Sequence, residues 1–209
     1  MTEPGAVLPF ALLALLMAAT PGPNMVFLLA RAMEHGRRAG VMALFGVAIA
    51  FLLHLVLAAS GLAGLLMATD QAMHGLRVAG AGFLLWHSAR ALVTMPAATP
   101  AVTALRQRKS AGEHFVAGFL VNAANPMVTV FFISVMPQFV SAASGRSVLG
   151  QSLELGLQYT AVSLGVNLLV TLCAARVCAW MHGQPARLRT LRCVTSAALA
   201  ALALRLLCG

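Results

Sequence analysis

Apolar residues along this chain fall in six long blocks, at about Ala6–Ala30, Gly40–Ala68, Gly75–Val93, His114–Phe139, Leu153–Met181 and Leu191–Leu207. Neither the alternation of a half-buried strand nor the narrow stripe of a soluble amphipathic helix fits runs of this length. A helix needs about 20 such residues to cross a hydrocarbon core of about 30 Å. The pattern therefore predicts an all-α integral membrane protein with six transmembrane helices.

Polar punctuation divides the blocks. The one long connection, "TMPAATPAVTALRQRKSAGEH", separates spans three and four, and carries Pro96, Pro100 and a basic cluster. It splits a single membrane domain, 1–209, into a first three-span repeat at 1–94, a basic cytoplasmic connection at 95–113, and a second three-span repeat at 114–209. An odd number of spans per half forces the two repeats into opposite membrane orientations, so the expected architecture is an inverted repeat.

Two of the blocks are interrupted where a spanning helix has most to lose. Span one contains Thr20, Pro21, Gly22, Pro23 and Asn24, and span four contains Asn125 and Pro126. About ten residues separate each break from the cytoplasmic edge, so at about 1.5 Å per residue both lie roughly 15 Å deep, at the midplane. Each proline removes an amide and disfavours helix in the residue before it. The carbonyls of Met17, Ala19 and Asn122 are expected to be freed. Thr20 or Gly22 can then cap a second half-helix in span one, and Asn125 can do so in span four. Irregular backbone at this depth is tolerated where it is buried in protein or lines a wet cavity. Paired breaks in inverted halves are a pattern of secondary-transporter binding sites, with amides facing an anion and loose carbonyls facing a cation. A proline kink serving packing alone is the competing explanation.

Composition agrees with the membrane assignment: 60% of the 209 residues are hydrophobic, 9% are charged, and mean hydropathy is +0.89. The net charge of +9 invites a nucleic-acid reading. However, the basic residues are scattered between apolar runs and aromatic residues for stacking are few, so a lipid surface accounts for them better. Eleven of the fourteen, among them Arg31, Arg37, Arg38, Arg106, Arg108, Lys109, Arg176 and Arg187, fall on one side of the six-span map. Arg77, Arg146 and Arg205 fall on the other, which places both termini outside the cytoplasm by the positive-inside rule. Residues 1–5 carry Glu3 and no basic residue, so the first run is expected to be a retained span. Cys173, Cys178, Cys193 and Cys208 have no C-x-x-C spacing and read as small buried hydrophobes. No cofactor motif and no metal-ligand cluster is read.

Ionisable residues inside spans are functional candidates by default. His54 lies about 14 residues into span two and His87 beside Trp86 in span three; both are candidates for proton coupling. Gln158, Tyr159, Ser163 and Asn167 in span five are candidates for cavity lining, with Ser163 and Asn167 four apart on one helix face. Asn122, one turn before Pro126, joins the expected binding residues. Glycines such as Gly61 and Gly64 fit either a homodimer face or packing within one chain.

"TPGPNM" in span one, "NP" followed by "FFISVMPQFV" in span four, "GVAIAFLLHLVLAASGLAGLL" in span two and "LRVAGAGFLLWHSARAL" in span three resemble the lysine exporter (LysE) superfamily, specifically its homoserine/threonine efflux (RhtB) branch. The resemblance implies a six-span exporter of amino acids in the bacterial inner membrane, driven by proton motive force, with a small-molecule substrate and protons as partners. It departs from the family at Met127, where a lysine often follows the Asn-Pro pair, and in a final span where alanines stand for glycines. Three other classes remain, one of them a non-transporting membrane scaffold in which altering the breaks would affect assembly but not flux. A metal or other-ion exporter of the same superfamily would use His54 and His87, although cysteine and carboxylate ligands are not gathered near the breaks. An intramembrane serine protease would use Ser60, although His54, six residues away, falls on a different helix face. The chain is expected not to be an enzyme.

Overall fold

The computed structural model describes residues 4–66, 110–141 and 144–183, together with scattered positions within 74–89 and 189–207. The described residues are helical apart from short turns, and no strand occurs among them. The first predicted span is two helices, α1 (Pro4–Ala19) and α2 (Pro23–His35), bent by 50° at residues 20–22. Gly36, with φ of 88°, supplies the left-handed turn that lets α3 (Arg37–Leu66) start at once and fold back.

The fourth predicted span opens with α4 (Ala111–Ala123), started by a reciprocal capping box in which Ser110 Oγ accepts from the Glu113 amide and Glu113 accepts from the Ser110 amide. It bends by 49° into α5 (Pro126–Val130). Beyond α5 the chain is not regular α-helix: a π turn spans Phe131–Val135 and a 3-10 turn spans Met136–Phe139. Pro137 cannot bond the Ile133 carbonyl, and Gln138 donates instead from Nε2 to Ser134 O. The fifth predicted span is α6 (Val148–Leu172), capped by Ser147, then a break at Cys173 and α7 (Ala174–Gly183).

Among the described residues two helices, Arg37–Gly61 and Val148–Leu172, are long and apolar enough to cross a membrane, and the number rises to four if each bent pair counts as one span. Most of the third and sixth predicted spans, and residues 95–109 of the connection, lie outside the described residues. Where positions in 74–89 and 189–207 are described they are helical. Ser88 donates to the Ser196 carbonyl and Ser196 to the Ser88 carbonyl, tying the two segments together.

Side chains are distributed as a lipid solvent dictates. Phe45, Ile49, Leu53, Val56 and Leu57 on α3, and Leu157, Leu168 and Leu169 on α6, are exposed. Polar residues turn inward: Asn122, Ser152 and Thr171 are fully buried. The aromatic core joins Phe10 of α1, Phe51 of α3, Phe131 and Phe132 after the second break, and Tyr159 of α6.

Contact of α3 with α4 sets the register of the site. Gly46 faces the backbone of Phe115 and Phe119, and Gly118 faces the backbone of Ala43, so closely that a Cβ on either would collide with main chain. Because Ala43 meets Gly118, Val47 meets Asn122 and His54 meets Thr129, α3 and the α4–α5 pair run parallel. α2 and α6 run the other way, since Gly40 meets Ala32 and Thr171 while Leu55 meets Gly156. The two broken helices are therefore oppositely directed.

Candidate functional site

At the first break, Gly22 is the cap residue, with φ −123° and ψ −177°, and Pro23 occupies the first helical position. Glycine has no side chain to accept a hydrogen bond, and none caps α2. The first intrahelical bond is Val26 N to Gly22 O, at 3.0 Å. The amides of Asn24 and Met25 are left with no acceptor among the described residues, at the end of the helix where the dipole is positive. Thr20, the other expected cap, instead donates its hydroxyl to Leu16 O at 2.7 Å and closes the end of α1.

The second break is sealed by its own residues. Asn125 Oδ1 accepts from the Met127 amide at 3.1 Å, as expected of a cap, and the Asn125 amide donates to Asn122 O at 3.0 Å. This last bond corrects the expectation of loose carbonyls. The Asn122 carbonyl is paired, and Met17 O likewise receives Thr20 N at 3.3 Å. At the end of α1 the Thr20 amide is shared between Leu16 O at 3.1 Å and Met17 O, while α4 tightens into an i to i+3 bond, the usual recourse when a proline removes the regular partner. Of the three carbonyls, only Ala19 O gains no backbone replacement among the described residues.

Across a separation of 98 residues, Asn24 Nδ2 donates to Asn122 Oδ1 at 2.6 Å, and Asn122 Nδ2 donates to Val47 O at 2.9 Å. A carbonyl only accepts, so the Val47 contact fixes which way the Asn122 amide points. That in turn fixes Asn24, whose Oδ1 is buried without a hydrogen-bond partner among the described residues. The two breaks thus meet at one level.

They enclose a cavity of about 40 Å³, walled by Met17, Ala18 and Thr20 from α1 and its end, by Gly22, Pro23, Asn24 and Met25 from the first break, and by Asn125, Met127 and Val128 from the second. Phe51, Tyr159, Ser163 and Asn167 complete it. No lining side chain is ionised. Ser163 Oγ is a second buried oxygen short of hydrogen-bond partners, with the Tyr159 hydroxyl as its side-chain neighbour, while Asn167 Nδ2 donates to Ser163 O at 2.8 Å.

Most of the residues singled out from sequence are brought together here, with exceptions. Pro21 and Pro126 make the breaks without lining the cavity, Asn122 stands behind Asn24, and Gln158 falls outside the wall. His87 lies outside the described residues. His54 is buried beside the second break, with Nδ1 2.8 Å from Ala50 O and Nε2 3.0 Å from Thr129 Oγ1. Sequence reasoning passed over Phe51, Met17, Met25 and Thr129. The first three are indistinguishable from lipid-facing apolar residues in a span; Thr129 carried a signal, one turn beyond Asn125. The Ser60 hydroxyl donates to Val56 O and Leu57 O of its own helix and bonds no base among the described residues.

The family model of LysE type translocators matches residues 15–209, which include both breaks and the whole of the second half. This chain belongs to that family. Among relatives, the homoserine/homoserine lactone efflux protein of Salmonella typhimurium is 28% identical over 174 residues, covering 83% of this chain and 82% of the relative. The leucine efflux protein of Enterobacter sp. is 27% identical over 149 residues, covering 65% and 66%. These names accord with the homoserine/threonine efflux branch of the family. No solved structure matches the chain.

Proposed function

We propose that this protein is a secondary transporter that exports small neutral amino acids or their derivatives across the bacterial inner membrane by proton antiport. Its relatives named for homoserine and leucine efflux support the substrate class. The observation that carries the reading is the meeting of two oppositely directed broken helices at a polar cavity without an ionised side chain. A zwitterion presents a carboxylate and an ammonium. The uncapped amides of Asn24 and Met25 suit the first, and the spare oxygens Asn24 Oδ1 and Ser163 Oγ suit the second.

A cavity of about 40 Å³ holds about three waters rather than an amino acid. Entry of substrate therefore requires the cavity walls to move apart, a motion of the kind that alternating access needs. Two inverted three-span repeats, six spans in all with both termini outside the cytoplasm, provide the frame. Asn24 bonding Asn122 and Ser88 bonding Ser196 hold the two halves together. His54 is the proposed site of the exchanged proton. Met127, in the cavity wall where the family often has lysine, removes a fixed positive charge and favours neutral substrates over acidic ones. The metal-exporter reading gains nothing here, because the cavity wall contains no histidine, cysteine or carboxylate.

Proteoliposomes loaded with labelled homoserine, threonine, leucine, glutamate or aspartate test the proposal under an imposed pH gradient. Neutral substrates are expected to leave faster when protons can enter, with glutamate and aspartate retained. Efficient glutamate export overturns the selectivity argument, and export indifferent to the gradient overturns antiport.

A further inference from the structure

Thr129 has no role in the transport reading so far, yet its hydroxyl stands between His54 and the second break. His54 Nδ1 faces Ala50 O, a pure acceptor, so Nδ1 carries a proton whenever that contact is made. The site that gains and loses a proton is then Nε2, which faces Thr129 Oγ1 at 3.0 Å. The same hydroxyl lies 3.2 Å from Asn125 O. A hydroxyl has one proton to give. When Nε2 is bare it is an acceptor, and Thr129 turns its proton to the imidazole. When Nε2 is protonated it donates to Oγ1, and the Thr129 proton is released to Asn125 O.

We infer that Thr129 is the positioning residue through which the charge of His54 reaches the substrate cavity, an inference that rests on His54 as the proton carrier. Asn125 lines the cavity, caps α5 and holds the last turn of α4 through its amide. Its carbonyl already accepts the Thr129 amide at 3.2 Å. A second bond to that carbonyl from a threonine hydroxyl four residues on is the back-bonding that bends helices. Proton arrival at His54 therefore alters the bend of α5 at the cavity wall with no transfer of a proton to the substrate.

The surroundings keep this path distinct. Phe132 stacks on the His54 ring, with centroids 6.2 Å apart, and also contacts Tyr159 of α6. Glu154 of α6 is paired with Arg146 at 3.0 Å on the exposed start of that helix. Glu113 and His114 of α4, and Arg31, Glu34 and His35 of α2, lie toward the opposite end of α3, where Ala43 meets Gly118 and Gly40 meets Ala32.

The test compares the wild-type protein, Thr129→Val, Thr129→Ser and His54→Gln in proteoliposomes, reading apparent substrate affinity across the pH range in which imidazoles exchange protons. In wild type the affinity is expected to change about tenfold, within the usual span of coupling between sites. Thr129→Val removes the hydroxyl at constant shape and is expected to flatten the profile to within about twofold while transport at saturating substrate persists, with Thr129→Ser restoring it. A wild-type profile in Thr129→Val overturns the relay. His54→Gln separates the two levels: if it is flat and Thr129→Val is not, the relay alone fails; if it keeps the wild-type profile, His54 is not the carrier and both fail. Nitrogen NMR of the 15N-histidine wild-type protein in lipid tests the geometry without a variant. Neutral His54 is expected to be protonated at Nδ1, and a proton on Nε2 instead overturns the inference.

Discussion

The two breaks bend their helices by nearly the same angle, 50° and 49°, yet end their hydrogen bonds in opposite ways. At the first, glycine caps α2 and two amides stay open at the cavity wall. At the second, Asn125 caps α5 with its own side chain and its amide closes α4. Proline geometry sets the bend; the residue before the proline decides whether the bend has donors to spare. On the proposed reading the first break is the one that receives the carboxylate, and the second is the one that responds to the proton.

The sharpest way to break that contrast is to repair the first helix. In Pro21→Ala combined with Pro23→Ala, the new amides bond the carbonyls of Met17 and Ala19, and those of Asn24 and Met25 turn inward to Thr20 and the residue after it. Two hydrogen bonds to a charged group, at about 1.5 kcal/mol each, are then lost to the substrate, so efflux per folded molecule is expected to fall at least about a hundredfold. Thermal stability should hold or rise, since each interior proline costs a helix about 3 kcal/mol. Normal efflux in a folded variant, followed with membrane-inserted, monodisperse protein, would leave the break as architecture alone.

A gentler change makes the first break resemble the second. Gly22 has extended backbone, and a Cβ there meets nothing closer than Thr20 O at 3.7 Å and Met127 Sδ at 3.9 Å, so Gly22→Ser fits. Its hydroxyl is expected to take one of the open amides, raising stability by a few tenths of a kcal/mol and lowering substrate affinity by about tenfold. Unchanged affinity, measured by substrate-induced shift of the melting temperature, would show that the amides are not part of the site.

The smallest effect is expected from the converse change. Asn125→Ala strips the second break of its cap and should cost about 1 kcal/mol of stability. Its affinity loss should be smaller than that of Gly22→Ser, because Asn125 spends its oxygen on Met127 rather than on substrate. A larger loss, read by the same binding assay, would reverse the roles assigned to the two breaks.

Local rules carried the sequence a long way. Proline, glycine and asparagine act on residues within one turn, so the positions of both breaks, the cap at Asn125 and the start of α2 at Pro23 were legible. The inward face of Tyr159, Ser163 and Asn167 was legible too, because polar residues in lipid avoid the outside and recur at helical spacing. Gln158, one residue off that face, shows how a single step in register separates wall from surroundings. The exchange of α for π and 3-10 turns around Phe131–Phe139 had no local signal, since it depends on what those side chains pack against.

What only the tertiary structure decided are the contacts made across 75 to 98 residues: Asn24 to Asn122, Asn122 to Val47, and His54 to Thr129. These depend on how far one helix slides along another. That distance is fixed by the close approach of Gly46 and Gly118 to facing backbone, a feature with no local signature beyond two small residues in apolar runs. Sequence alone determined where the helices must break and which groups each break could offer. The register of α3 on α4 decided which of those groups are spent on the protein and which are left at the cavity, because a hydrogen bond is satisfied by whatever partner packing brings within reach.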